Sequence, residues 1–135
     1  MAKLSQRQFL VNVSGIAGNF QTKSGGETSS ETTKNYDGGS LNAEVLASPA
    51  ETDNITVSRA YDYLRDSQAH RDARKKVGRW RTTISVTPTN EDLVAMGTPT
   101  TYPNALLVRV SEPDVDSSSG DVAMFELEFA VGSVA

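Results

Sequence analysis

His70 is the one histidine of the chain and the first residue to test for catalysis. Asp66 and Ser67 lie one helical turn before it, so on a helix the three side chains would be neighbours. Nucleophilic chemistry asks for more: a buried partner to orient the imidazole and paired donors for a developing oxyanion. No second motif supplies these, so the expectation is an exposed histidine on a charged helix face. Glu126 and Glu128 fall on one side of a strand, and paired carboxylates can do acid–base work on glycosides. Two acids on the outer side of an amphipathic strand are also ordinary solvated surface. Asp114-x-Asp116-x-Ser118-x-Gly120 hints at a calcium loop, but the expected glycine and glutamate positions hold Ser119 and Phe125, so the pattern fails. Gly15-Ile16-Ala17-Gly18 is too short for a phosphate loop and no Lys-Ser/Thr follows it. With no cysteine in the chain, disulfides and thiolate metal sites are excluded. Asn12-Val13-Ser14 and Asn54-Ile55-Thr56 match glycosylation sequons inside expected strands and are read as chance. The expectation is no catalytic, cofactor-binding or metal-binding residue, and no enzyme.

The elements that would position these residues centre on 54–87. Ile55, Val57, Arg59 and Tyr61 alternate with the small Thr56, Ser58 and Ala60, which predicts a strand. Asp62 caps a charged helix over about 62–77, with a thin stripe of Leu64, Ala69, Ala73 and Val77, basic residues in its last turn and Gly78 as its stop. Trp80, Thr82, Ile84 and Val86 share one face of a second strand. Such a helix covers a sheet and builds no core by itself.

Earlier in the chain, Phe9, Val11 and Val13 alternate as a first strand. An apolar run there after Lys3 and Arg7 faintly resembles a secretion signal, but Asn12 and Ser14 interrupt it and no cleavage site follows. Residues 21–40 read as a long polar loop, with nothing apolar between Thr22 and Asn35; from the residues alone a flexible linker is the simpler account, and an arm that orders against a neighbour is the alternative. Residues 41–47 alternate again as a strand that Pro49 ends. Later, 88–103 reads as a Pro-rich connection holding one helical turn at 90–96, and 104–112 as a strand. Residues 122–131 form a last strand hairpinned to it, with Phe125, Leu127, Phe129 and Val131 on one face. The sum is six or seven strands and one helix in a single domain over 1–135: a mainly β sandwich or barrel with one flanking helix.

Charge is unevenly spread. Arg59–Arg81 holds eight bases and three acids, net +5; the chain as a whole is −4, so the remainder carries −9. Such a layout lets one copy's basic region face another copy's acidic surface, though local ion pairs such as Asp62 with Arg65 are the simpler account. The pI of 4.9 argues against a dedicated nucleic-acid binder. No apolar run reaches the roughly 20 residues that cross a bilayer.

Several stretches together resemble the tail tube proteins of long-tailed bacteriophages. They are Asn35-Tyr36-Asp37-Gly38-Gly39-Ser40, then Pro49 through Asp62, Arg65-Asp66, Val77-Gly78-Arg79-Trp80, and Glu112-Pro113 through Phe125-Glu126-Leu127-Glu128-Phe129. The resemblance spans most of the chain from Phe9. It is shared with the inner tubes of contractile injection machines and of type VI secretion. It implies a tail-tube-type subunit of which six copies form a ring, with rings stacked into a hollow tube that conducts DNA during ejection. The 21–40 loop would then reach the adjacent ring, with Lys23, Glu27, Glu31, Lys34 and Tyr36 as contact candidates. Glu44, Glu126 and Glu128 are candidates for acids facing the lumen, and Trp80, Phe125 and Phe129 for packing. The partners implied are other copies, a tape-measure protein, tail-tip or terminator proteins and double-stranded DNA in transit, with no membrane. The place implied is the virion tail, assembled in the host cytoplasm.

Physical reasons support that implication. A small sandwich has open sheet edges that invite pairing with another chain, and closure of a ring removes them. DNA carries about one negative charge per 1.7 Å of axis, so acidic walls would let it slide. Two other readings remain: a monomeric β-sandwich binding module of adhesin type, and a small hydrolase using the carboxylates.

Overall fold

A computed structural model describes residues 3–36, 38–39, 41–113, 117–118, 120–132 and 134. Its strands in chain order are β1 (Phe9–Val13), β2 (Asn19–Phe20), β3 (Thr22–Gly25), β4 (Thr28–Asn35), β5 (Glu44–Thr52), β6 (Ile55–Ala60), β7 (Arg81–Pro88), β8 (Thr100–Val110) and β9 (Met124–Ala130). One helix, α1 (Tyr63–Lys75), separates β6 from β7.

Seven strands form one antiparallel sheet in the order β2-β1-β7-β8-β9-β6-β3. The two strands at its ends are nearly continuous in the chain. Only Gln21 lies between them, and its N–H donates to the Ser58 carbonyl at 3.0 Å. Residues 19–25 therefore pair with β1 at one end and with β6 at the other, and the sheet closes on itself as a barrel. Strand alternation fills the interior: Val13, Ile55, Val57, Ile84, Leu107, Phe125, Leu127 and Phe129 are wholly buried. The two end strands of the sheet are thus joined through residues 19–25, and the chain itself covers part of the open edges expected of a sandwich, with Val11 and Asn12 of β1 paired to β2 and β6 paired to β3.

The remaining two strands, β4 and β5, make a separate antiparallel ribbon. This corrects the 21–40 loop. Ser and Thr satisfy a pleated backbone well without being apolar, so a strand exposed on both faces leaves no hydrophobic period to read. β5 also runs through Pro49, which was expected to end it. Ser30 pairs with Ala50 and Thr32 with Ala47, so Pro49 sits at a bulge, where its missing N–H costs no ladder bond.

Three further expectations change. Residues 90–96 form a turn and not a helical turn: the Asn90 side chain accepts from the Asp92 and Val94 amides, and Thr89 bridges Ala95. β8 begins at Thr100 and includes Pro103, ahead of the expected start at 104. On α1, Leu64 is 81 % exposed, and the buried positions are Asp66 and Ala73. The Asp62 cap is as expected, its side chain accepting from the Leu64 amide.

Candidate functional site

The ribbon leaves the barrel at its Gly25–Ile55 pair. Gly25 and Gly26 both have positive φ, and a Cβ on Gly25 would overlap the Asn54 carbonyl. Glycine is what lets the chain turn out of the barrel wall there. Lys23 lies over the Tyr102 ring beside this root, with Nζ 3.4 Å from the phenol oxygen. Beyond the root, all of β4 and all of β5 except Thr52 is exposed. Glu31 stands at the bulge, where the Ser30 hydroxyl donates to the Ser48 carbonyl at 2.6 Å. Glu27, Lys34, Glu44 and Glu51 are exposed as well. So are the apolar Tyr36, Leu41, Val45 and Leu46. A two-stranded ribbon packed against nothing is marginal in water, and large exposed apolar side chains mark a contact surface.

At the other end of β6 the helix is fastened by a buried ion pair. Arg59 follows Ile55 and Val57 on the inward face and is 1 % exposed. Its Nη1 donates to the Ala17 carbonyl at 2.6 Å and its Nη2 to Asp66 Oδ1 at 2.5 Å. The guanidinium lies between the Phe20 and Phe125 rings, at 4.6 and 5.5 Å from their centroids. Asp66 also accepts from the Asp62 amide and from Arg65, which pairs with Asp66 in place of the expected Asp62. Burial alone would push the Asp66 carboxyl up. The hydrogen bonds from Arg65, the Asp62 amide and Arg59, with the Arg59 charge, outweigh it and hold the carboxyl below the ordinary carboxylate range.

His70 is half-buried, not exposed as expected. It meets Phe125 and Tyr61 edge-on, and its Nε2 lies 3.1 Å from the Ser111 carbonyl oxygen. A carbonyl only accepts, so this nitrogen carries the proton. Among the described residues no carboxylate forms an ion pair with the imidazole, and Asp66 faces Arg59 instead. Beside it, Tyr61, Ser67, Arg71, Arg74, Lys75 and Glu112 border an open groove of about 540 Å³. Arg74 pairs with Glu112 across it.

The outward acids of β9 are not free charges. Arg109 bridges Glu126 at 2.5 Å and Glu128 at 3.2 Å, and Asn54 donates to Glu128. Trp80 is half-buried against Phe129, under Lys76. Phe125 and Phe129 are wholly inside the barrel. Among the described residues, no group of three or more His, Cys, Asp or Glu could hold a metal ion, and no helix is long and apolar enough to cross a membrane. The Asp114–Gly120 pattern lies largely outside the described residues.

No protein-family model matches the chain, and no curated protein matches it. Solved structures do. A chain of the anti-feeding prophage cap, described as a tube-terminating cap, superposes with a TM-score of 0.83 at 18 % identity, covering 100 % of this chain and 91 % of that one. A chain of the sheath–tube complex of an extracellular contractile injection system, PVC, gives 0.83 at 19 % identity, covering 99 % and 90 %. A chain of the anti-feeding prophage baseplate gives 0.74 at 20 % identity, covering 100 % and 95 %. The chain therefore has the tube-type fold found in contractile injection particles: a mainly β barrel with a single helix.

Sequence reasoning missed the Arg59–Asp66 clamp. Its signal was present, since a charged residue on the same strand face as Ile55 and Val57 must find a buried partner.

Proposed function

We propose that this chain is a structural subunit of the tube of a contractile injection particle, its copies closing into rings that stack as a hollow conduit. The observation that carries the reading is the ribbon: a two-stranded sheet with two free edges and exposed apolar side chains, projecting from a barrel whose two end strands are joined by residues 19–25. Its order and solubility call for a neighbouring chain. The fold likeness supports the same reading and favours a contractile particle over a long-tailed phage.

The finer features follow from the resemblance. They are rings of six copies, a tape-measure protein, tip and terminator partners, and assembly in the producing cell's cytoplasm. Lys23, Glu27, Glu31, Lys34 and Tyr36 then serve the contact between rings, through a ribbon and not a loop. Glu44, Glu126 and Glu128 are the proposed lumen acids. Arg109 leaves Glu126 and Glu128 with one net negative charge between them, so any repulsion of passing double-stranded DNA from these positions is weaker than two free carboxylates would give.

Negative-stain electron microscopy of the concentrated protein tests the reading. Rings or tubes are expected. A variant in which residues 29–51 are replaced by a tight Asn-Gly turn should fold as a monomer and form neither. A wild-type chain that stays monomeric at high concentration, even with its tail partners, would overturn the proposal. So would normal tubes from the shortened chain.

A further inference from the structure

The ribbon precedes β6 and the helix follows it, so the two leave the barrel at opposite ends of one strand. Their charges are opposite too. Residues 27–53 carry six acids and one base, net −5, against +5 for Arg59–Arg81. Within one chain these charges stand at opposite ends of β6. Between chains they can meet. Eight residues of β4 at about 3.3 Å each give the ribbon a reach of roughly 26 Å, longer than the six residues of β6.

We propose that the groove beside α1 seats the ribbon of a second copy, with ribbon carboxylates such as Glu31 and Glu51 set against Arg71, Arg74 and Lys75. The proposal rests on the tube reading and names the surface its ribbon uses. Arg71 and Lys75 are exposed and have no ion-pair partner among the described residues. Arg74 has one, Glu112, on the groove's far wall. Glu112 sits in the groove as a carboxylate already bound there, and an incoming ribbon acid offers the same chemistry. Exposed apolar side chains stand at both ends, Tyr63 and Leu64 on the helix and Val45 and Leu46 on the ribbon. A contact between two different surfaces of the same chain is heterologous, and contacts of that kind extend an assembly. A free anion would also suit three cations. The matched charge of the chain's own ribbon, and the exposure of its two strands, favour the second copy.

Charge exchange tests it. Arg71→Glu with Arg74→Glu should raise the concentration needed for assembly at least tenfold, since like charges now face each other. Glu31→Arg with Glu51→Arg should do the same. The four substitutions together should restore assembly to within a few-fold of wild type. Both double variants are to be checked for an unchanged melting curve, so that a folding defect is not read as a lost contact. The chain has no cysteine of its own, so Arg71→Cys protein mixed with Glu51→Cys protein gives a second measure: oxidation should link two copies only when they assemble. Reversals that leave assembly unchanged, or losses that the four-substitution chain fails to restore together with no cross-link, would overturn the seat while leaving the tube reading intact. A wild-type chain that never assembles would overturn both.

Discussion

Asp66→Asn should be among the most damaging single substitutions available in this chain. The carboxylate is wholly buried and accepts four hydrogen bonds, from Arg59, from the Asp62 amide and twice from Arg65. Removing its charge leaves Arg59, 1 % exposed, without a counter-ion inside the barrel mouth. Breaking a buried pair by taking one partner costs about 3–5 kcal/mol, because the other charge stays desolvated. A domain's whole stability is about 5–15 kcal/mol. For a chain of this length roughly 4 °C of melting temperature goes with each kcal/mol, so a fall of about 12–20 °C is expected. Urea denaturation followed by far-ultraviolet circular dichroism measures it, with an unchanged slope showing that the comparison is like for like. The double variant Arg59→Met with Asp66→Leu should recover most of the loss, since an apolar replacement leaves no charge to desolvate. A loss below about 1 kcal/mol for Asp66→Asn would refute the claim that the substitution leaves Arg59 desolvated without a counter-ion.

The same carboxylate should give the protein an acid-sensitive component. Its folded pKa lies below the unfolded value, so the stabilisation is present above about pH 4 and drains away as pH falls through the folded pKa. The stability gap between wild type and Asp66→Asn should therefore be flat from neutral pH down to about pH 4, the unfolded carboxyl's range, and narrow below it; a gap that widens in acid would contradict this sign. Gly25→Ala should cost more than about 2 kcal/mol and loosen the root of the ribbon, because φ is +83° and the new Cβ overlaps the Asn54 carbonyl; hydrogen exchange of the β3–β6 amides would report it. Phe129→Ala, wholly buried, should cost about 3–5 kcal/mol. Trp80→Ala, half-buried, should cost less than Phe129→Ala in the same urea titration, and equal losses would show that exposure does not rank these two.

Several elements were legible because one face of each is buried. β6, β7 and β9 alternate against a core, so period and register are written in the residues: Ile55 and Val57, Thr82 and Ile84, Phe125 through Phe129. The helix was legible at its Asp62 cap and at Ala73, but not along the rest of its inner face. There Asp66 and His70 replace the apolar residues that a hydrophobic stripe looks for. Both are satisfied by groups distant in sequence, Arg59 and the Ser111 carbonyl. Half of the ribbon was legible, since residues 41–47 alternate and overlap β5; β4 was not, because a Ser- and Thr-rich strand exposed on both sides has no reason to alternate. The basic region was visible as a count of charges. Which of its members would line a groove, and which, like Arg59, would be swallowed by the barrel, was not.

The sequence alone determined the strand-rich class, the single capped helix, the absence of thiol chemistry and the split between a basic middle and an acidic remainder. Each of these depends on local pattern or composition. Only the tertiary structure decided that residues 19–25 pair with two different strands and close the sheet, that Arg59 and Asp66 meet inside, and that ribbon and basic groove lie at opposite ends of the barrel. Those outcomes depend on which distant backbones come together, and the energy of such a meeting is not written in either segment by itself.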